Sequence, residues 1–255
     1  HVYGAALSMV IANIASSIYY IWYLNAKSEN LKGFLHHFKI SVKDQIEIYK
    51  IGVSELIQCA FLIVTTLLLN NFAMEYGDSV VASFGIALRI AQLPEFFTMG
   101  IVLGVMPLIA YNFSNKNISR LKEGIKYSSI FIISIAIVFA GIVYMFRGQV
   151  IQAFSDDPSV LSIGAYILVA MLVSALFNGM TTLFMTIYQA SGEGMATGIM
   201  AISQGCLYIP MVIVLHYYFG LHGLVWSITI TEVITCLIGV ILYIPYSKKT
   251  MKILA

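Results

Sequence analysis

Long apolar stretches, each followed by a short polar segment, recur from one end of the chain to the other. About 20 helical residues are enough to cross the roughly 30 Å apolar core of a bilayer. The composition agrees, since 60% of the residues are hydrophobic and 10% are charged, against about 25% charged in soluble domains. The pattern predicts an all-α, polytopic membrane helical bundle with seven transmembrane helices, roughly at 3–24, 51–72, 82–112, 127–146, 159–189, 196–218 and 223–245.

The polar segments between these stretches differ in basic charge. Twelve of the fourteen Lys and Arg residues lie in segments 25–50 and 113–126 and in the C-terminal tail. The alternate segments, 73–81 and 147–158, carry acidic residues and Arg147 alone as a basic residue. Because short basic loops stay in the cytoplasm, we predict a multi-pass plasma-membrane protein. Its N-terminus is expected outside and its C-terminus in the cytoplasm.

The third apolar stretch is longer than a bilayer requires and contains charge. Residues 82–112 would extend about 46 Å as a helix, and they include Arg89 and Glu95. A charge near the membrane centre costs at least about 2.5–3.5 kcal/mol, and it is a functional candidate by default. Pro94 and Pro107 each remove a backbone hydrogen bond and allow this helix to bend.

One face of that helix collects its polar residues. At about 100° per residue, a uniform helix places two charged side chains, an amide and two methionines within one arc. Such a face suits a cavity that accepts varied apolar cations. We therefore predict substrate binding by Arg89, Gln92, Glu95, Met99 and Met106. The alternative is a structural Arg–Glu pair that locks the helix to a neighbour, with the methionines as core filler.

Polar residues in other stretches give further candidates. Glu232, about nine residues into the last stretch, is a candidate ion-coupling residue or a carboxylate paired across a helix interface. Asn178 and Gln204 are candidate substrate-binding residues, although uncharged polar groups in membrane helices also serve as contacts between helices. Glu55 lies near one end of the second stretch, where its side chain is expected to reach the polar interface.

No other chemistry is indicated. The three cysteines lie in apolar stretches and are expected to be small buried hydrophobic residues. No histidine has a Cys, Asp or Glu at metal-ligand spacing, and no glycine-rich nucleotide loop is present. We predict no enzyme activity, no metal site, no cofactor other than a coupling ion, and no nucleic-acid partner.

Segment 25–50 is the longest connecting segment and the most charged. Its second half, 40–51, mixes apolar and charged residues in a way that indicates a short interfacial helix leading into the second stretch. The first and last stretches share a spaced Gly and Ser, at Gly4 and Gly223, which is a weak sign of a tandem repeat. Since the chain opens without methionine just before an apolar stretch, it is expected to be a piece of a longer protein.

Several sequence phrases resemble those of the multidrug and toxin extrusion (MATE) transporters. FGIALR at 84–89 is similar to a phrase of the prokaryotic DinF-like branch, and PE at 94–95 with GVMPLIAYN at 104–112 is similar to its MepA-type members. YQASG at 188–192 and GLHG at 220–223 fall where that family has related phrases. The resemblance extends over the whole chain.

This resemblance implies twelve helices in two six-helix lobes. On that template, 1–24 is the last helix of the first lobe, 25–50 is the cytoplasmic inter-lobe linker with an interfacial helix, 51–245 is the second six-helix lobe, and 246–255 is a cytoplasmic tail. The implied activity is export of cationic drugs and dyes in exchange for inward Na⁺ or H⁺, by alternating access of the two lobes. The implied partners are small cationic substrates, membrane lipid and the N-terminal lobe of the same chain.

The chain departs from the family pattern at two places. Ser54 stands where many relatives have a proline, and Leu103 and Met106 stand where many have glutamine, which makes this cavity more apolar. In this branch the proposed coupling acid lies in the first lobe, so these seven stretches alone are not expected to form a complete pump.

Two other functions are alternatives to drug export. A flippase for lipid-linked sugars would need several cationic groups along its cavity, whereas Arg89 is the one basic residue inside an apolar stretch. A seven-span receptor would be complete in these seven helices.

Overall fold

A computed structural model of the protein describes residues 2–27 and 41–254. The regular elements in these residues are all helices. In chain order they are α1 (Val2–Ala26), α2 (Val42–Met74), α3 (Asp78–Ser114), α4 (Ile118–Met145), α5 (Arg147–Gln152), α6 (Pro158–Ala190) and α7 (Gly194–Leu254).

The last helix contains two of the predicted spans. Six helices of the described residues are long and apolar enough to cross a membrane, and α7, at 61 residues, is long enough to do so twice. Its backbone is non-helical at Gly220, where φ is 58° and ψ is −133°. We call the two halves α7a, before Gly220, and α7b, after it. The all-α prediction with seven spans is confirmed.

The second span is longer than its apolar residues require. α2 runs from Val42 to Met74 as one helix, so the interfacial helix predicted at 40–51 is not a separate element. The polar residues at its start belong to the same helix. The predicted linker falls largely on 28–40, which lie outside the described residues, as does the side chain of Glu55.

Two further boundaries differ from the prediction. Segment 147–158, expected to be a loop, contains the short helix α5, whose buried Ile151 faces α6. α7 continues to Leu254, so the predicted tail at 246–255 is helical over most of its length. Burial of Ile151 stabilises α5 despite the low helix propensity of Gly148 and Val150.

The chain divides into two compact units, His1–Ile48 and Tyr49–Ala255. The first contains α1, whose described side chains are mostly exposed. In the second unit α6 is the central helix, and it packs against α3, α4, α5 and α7.

Two apolar clusters hold the second unit together. One joins the first half of α6 to the start of α3 and to α7 on both sides of Gly220, with Phe84, Ile167 and Leu224 fully buried. The other joins the second half of α6 to the end of α3, to α4 and to α7, around Ile109 and Tyr188. Since lipid tails are themselves apolar, this packing stabilises the bundle through van der Waals contact and hydrogen bonds between helices.

Buried hydroxyl groups tie α6 directly to α7b. The Tyr188 hydroxyl donates to the backbone carbonyl of Gly239 at 2.8 Å, and the Thr229 hydroxyl donates to that of Ala170, also at 2.8 Å. Hydrogen bonds between membrane helices contribute about 0.6 kcal/mol on average. These two fix the rotation of α7b against α6, which matters for the site below.

The start of α6 is set by a capping sequence. Asp157 accepts a hydrogen bond from the backbone amide of Ser159 at 2.9 Å, and Pro158 occupies the first turn, where no amide hydrogen is needed. Hydrogen bonds from the hydroxyl and amide of Ser159 hold the pKa of Asp157 below its ordinary value. The carboxylate therefore stays charged at the positive end of the helix dipole.

The break in α7 depends on two glycines. The dihedral angles of Gly220 fall in a region that side chains with a Cβ avoid. A Cβ on Gly223 would lie 1.9 Å from the backbone oxygen of Leu215, so the two halves of α7 approach within backbone contact. The GLHG phrase at 220–223 is explained by this turn.

Candidate functional site

An open cleft of about 210 Å³ lies between α2, α3, α6 and α7a. It has an apolar wall from α3 and a polar wall from α6, and glutamines of α2 and α7a complete it. The residues that line it are Gln58, Met99, Val102, Leu103, Met106, Asn178, Thr181, Thr182, Met185, Thr186, Gln189 and Gln204.

The apolar wall follows from helical spacing on α3. Met99, Val102, Leu103 and Met106 lie at positions i, i+3, i+4 and i+7, which share one face of a helix. Met99 is 54% exposed and Leu103 is 59% exposed, so this face is not covered by the rest of the second unit. Flexible thioether side chains on an uncovered face can adapt to ligands of different shape.

The polar wall presents oxygen atoms. The hydroxyls of Thr181, Thr182 and Thr186 each donate to a backbone carbonyl of their own helix, at 3.1, 2.9 and 2.9 Å. Their hydrogens are therefore used within α6, and their oxygen lone pairs remain as acceptors. A wall of acceptor oxygens favours a cation over an anion.

A buried carboxylate lies behind this wall. Glu232 of α7b is 6% exposed, and its Oε1 accepts hydrogen bonds from Gln204 Nε2 at 2.7 Å and from Asn178 Nδ2 at 3.4 Å. Gln58 Nε2 in turn donates to Gln204 Oε1 at 3.2 Å. Four polar side chains from α2, α6, α7a and α7b thus form one chain of hydrogen bonds, which we call the amide relay.

The other oxygen of that carboxylate is unsatisfied. Glu232 Oε2 is buried and has no hydrogen-bond partner among the described residues. An unpaired buried charged group is costly, so this atom marks a position where a proton, a cation or a water molecule is required.

The charged part of α3 lies outside the cleft. Arg89, Gln92 and Glu95 are exposed on the helix face that also carries Met99, and they are not among the cleft-lining residues. An ion pair within 4.0 Å joins His216 to Glu75, and the described residues show none between Arg89 and Glu95. Arg89 and Glu95 therefore do not form the structural pair considered as an alternative above, and a substrate role for either stays a prediction.

The structure brings together most of the other predicted residues. Met99 and Met106 share the apolar wall, while Asn178 and Gln204 line the cleft and hold Glu232. The sequence interpretation missed Gln58, although an amide in the otherwise apolar run 56–64 was a usable signal. It also passed over the hydroxyl row of α6, since threonines in membrane helices are common as packing residues.

Comparison with known proteins identifies the family of this chain. The MatE family model matches residues 53–215. The chain belongs to the MatE family. The resemblance to MATE transporters predicted from the sequence phrases is thus confirmed, and with six helices that are apolar enough to cross a bilayer, this member is a multi-pass membrane protein.

Relatives and solved structures agree with this assignment. The chain is 39% identical over 252 residues to "Multidrug export protein MepA" of Staphylococcus haemolyticus, and 37% identical over 242 residues to the protein of that name from Staphylococcus saprophyticus. The matches cover 97% and 95% of this chain but 54% and 53% of those proteins. The chain therefore spans about half the length of the curated relatives it matches.

The fold is also that of solved MATE proteins. A crystal structure of a MATE in the bent conformation aligns with a TM-score of 0.88 over 98% of this chain and 56% of that one, at 18% sequence identity. At this identity the likeness shows the fold alone.

Proposed function

We propose that this chain forms the second six-helix lobe, together with the last helix of the first lobe, of a multidrug exporter that moves cationic drugs and dyes out of the cell in exchange for inward Na⁺ or H⁺. The observation that carries the proposal is the cleft, which sets methionines of α3 opposite hydroxyl and amide oxygens of α6. The relatives named as multidrug export proteins support it.

The two walls suit one class of ligand. Flat apolar surfaces of a drug would pack against Met99, Leu103 and Met106, and its positive charge would face the oxygens of α6. Such contacts are adaptable and impose little shape specificity, which is what a multidrug site needs. The cleft lining contains no Lys or Arg. The described residues therefore do not support the alternative of a flippase for lipid-linked sugars, which would need several cationic groups along its cavity.

The uncovered face of α3 is an argument for a contact with the N-terminal lobe. Arg89, Gln92, Glu95 and Met99 are exposed together, and polar groups at this depth in a membrane helix are normally covered by protein or face a wet cavity. In the proposed transporter, the N-terminal six-helix lobe covers this face, and the cavity between the lobes opens to either side of the membrane in turn.

A drug-resistance assay on cells that express these residues alone tests whether the N-terminal lobe is needed. We expect cells expressing the 255 residues to show no increase in resistance to ethidium, because one wall of the cavity is absent. A two-lobe protein containing this chain should raise resistance, and membrane abundance of both proteins is the control. Resistance from the 255 residues alone would contradict the two-lobe mechanism, and a two-lobe protein that exports no cationic dye would contradict the proposed function.

The orientation in the membrane is a separate expected result. Cysteines introduced at exposed loop positions Tyr76 and Phe154 should react with a membrane-impermeant maleimide added to intact cells. A cysteine at Asn115 should react only after the cells are opened, because the adjacent segment carries Lys and Arg. Three native cysteines are present, so the labelling uses a background in which they are replaced by alanine. Labelling of Asn115→Cys in intact cells would reverse the predicted topology.

A further inference from the structure

The amide relay joins a buried acid to the surface of the cleft. Gln204 lines the cleft and also donates to Glu232 Oε1 at 2.7 Å, the shortest contact of the relay. Its own carbonyl oxygen accepts from Gln58 at 3.2 Å, a longer contact. One end of this amide is therefore held by the acid, and the other end can be taken over by a ligand.

The surroundings of Glu232 favour a proton over a metal ion as its partner. Na⁺ would need several oxygen ligands, but the two side chains that contact Oε1 do so through amide N–H groups. A proton on the unpartnered Oε2 neutralises the buried carboxylate while the Oε1 contacts stay as they are.

Two titratable groups of the described residues interact electrostatically with this acid, Glu95 of α3 and Cys236, which lies one turn further along α7b. The contacts from α6 and α7a come from uncharged groups, namely the amides of Asn178 and Gln204 and the hydroxyl of Thr181. Any pH dependence assigned to Glu232 must therefore be separated from Glu95 by experiment.

We propose that Gln204 couples a cation in the cleft to release of a proton from Glu232. A cation that binds Gln204 Oε1 displaces the donor from Gln58 and polarises the amide, which makes its N–H a stronger donor to Oε1 of the acid. The carboxylate is then stabilised, and the proton on Oε2 passes to water in the cleft. When the cation leaves, water returns a proton to Oε2. The inference rests on the proposed drug-binding function and adds a residue-level link within this lobe.

The pH dependence of dye affinity tests this link. Ethidium keeps a constant charge between pH 5.5 and 8.5, so its binding to the purified two-lobe protein can be followed by fluorescence polarisation across that range. If one proton leaves for each dye bound, Kd falls by up to tenfold per pH unit wherever Glu232 is protonated in the free protein. We expect that slope in the wild type and release of about one proton per dye in weakly buffered solution.

Variants assign the slope of log Kd against pH to particular residues. Glu232→Gln should lose most of this dependence of Kd on pH, and the remainder should disappear when Glu95→Gln is added, because the Glu95 carboxylate also titrates. Gln204→Met keeps the side-chain length but cannot relay, and it should reduce the slope by more than half. Gln189→Met makes the same change elsewhere in the cleft and should keep the wild-type slope whatever it does to affinity. Glu95→Gln should also keep the slope.

Each contrary result has a distinct meaning. A wild-type Kd that does not change with pH, or a full slope in Glu232→Gln or Gln204→Met, overturns the inference while leaving drug binding intact. Loss of the slope in Glu95→Gln alone assigns the proton to Glu95 and also overturns it. If the wild type binds no ethidium, the proposed function fails, and the inference fails with it.

A measurement on the wild type covers the case in which Glu232→Gln does not fold. The infrared band of a protonated carboxyl group should be present without dye and should decrease when ethidium binds. An unchanged band at saturating dye overturns the inference.

Discussion

Glu95→Gln should lower the affinity for cationic dyes by ten- to a hundredfold. Glu95 is exposed on the same face of α3 as Met99, one helical turn before the cleft, and it forms no ion pair with Arg89 in the described residues. In the proposed two-lobe transporter, its charge is therefore available to a cation that enters the cavity. Losing one charged contact of about 1.5–3 kcal/mol corresponds to that change in Kd.

Three measurements distinguish a substrate contact from a structural role. Binding of a neutral dye and the amount of protein in the membrane should stay close to wild type, because glutamine keeps the shape of the side chain. Glu123→Gln, the same substitution on an exposed position of α4, should leave cation affinity unchanged. A loss of protein yield with equal effects on all substrates would assign Glu95 to structure, and unchanged cation affinity at normal abundance would remove it from the site.

Gly223→Ala should strongly destabilise the protein. The added Cβ would lie 1.9 Å from the Leu215 carbonyl oxygen and 2.3 Å from its carbon. These atoms belong to the backbone, so no side chain can rotate to make space. Inserting a methyl group into a packed position typically lowers the free energy of unfolding by about 1–3 kcal/mol. We expect a loss at the upper end of this range, because α7a and α7b must move apart.

The thermal midpoint of the protein in detergent, followed by loss of the monodisperse peak in size-exclusion chromatography, measures this effect. Gly141→Ala is the matched control, since a Cβ there meets no atom within 4 Å and alanine favours the helix by about 1 kcal/mol. Its midpoint should equal or exceed that of the wild type. If Gly223→Ala is as stable as Gly141→Ala, the close approach of the two halves of α7 is not required for folding.

Features that depend on local periodicity were predictable from the sequence. The seven spans follow from apolar length, and the shared face of Met99 and Met106 follows from helical spacing. The absence of a loop between the last two spans was not predicted. Nothing in local hydropathy shows that Gly220 turns the chain within one residue. The continuous α2 was missed for a similar reason, since charged residues at the end of a span can continue a helix beyond the membrane.

The amide relay could not be predicted from spacing. Glu232 is 28 residues from Gln204 and 54 from Asn178, and their contact depends on how α6, α7a and α7b are rotated about their axes. That rotation is set by packing and by bonds such as the one from Tyr188 to Gly239. The sequence named three members of the relay as separate candidates and missed the fourth, Gln58, whose partner lies 146 residues away.

The turn at Gly220 also constrains how the protein is made. With no polar loop between α7a and α7b, the translocon receives two apolar helices with hardly any hydrophilic chain to release between them. We therefore expect them to enter the lipid together as one hairpin, after both have left the ribosome. The lysines near the end of α7b then fix the orientation of both helices at once, so a few basic residues synthesised after both spans help to decide the topology of both.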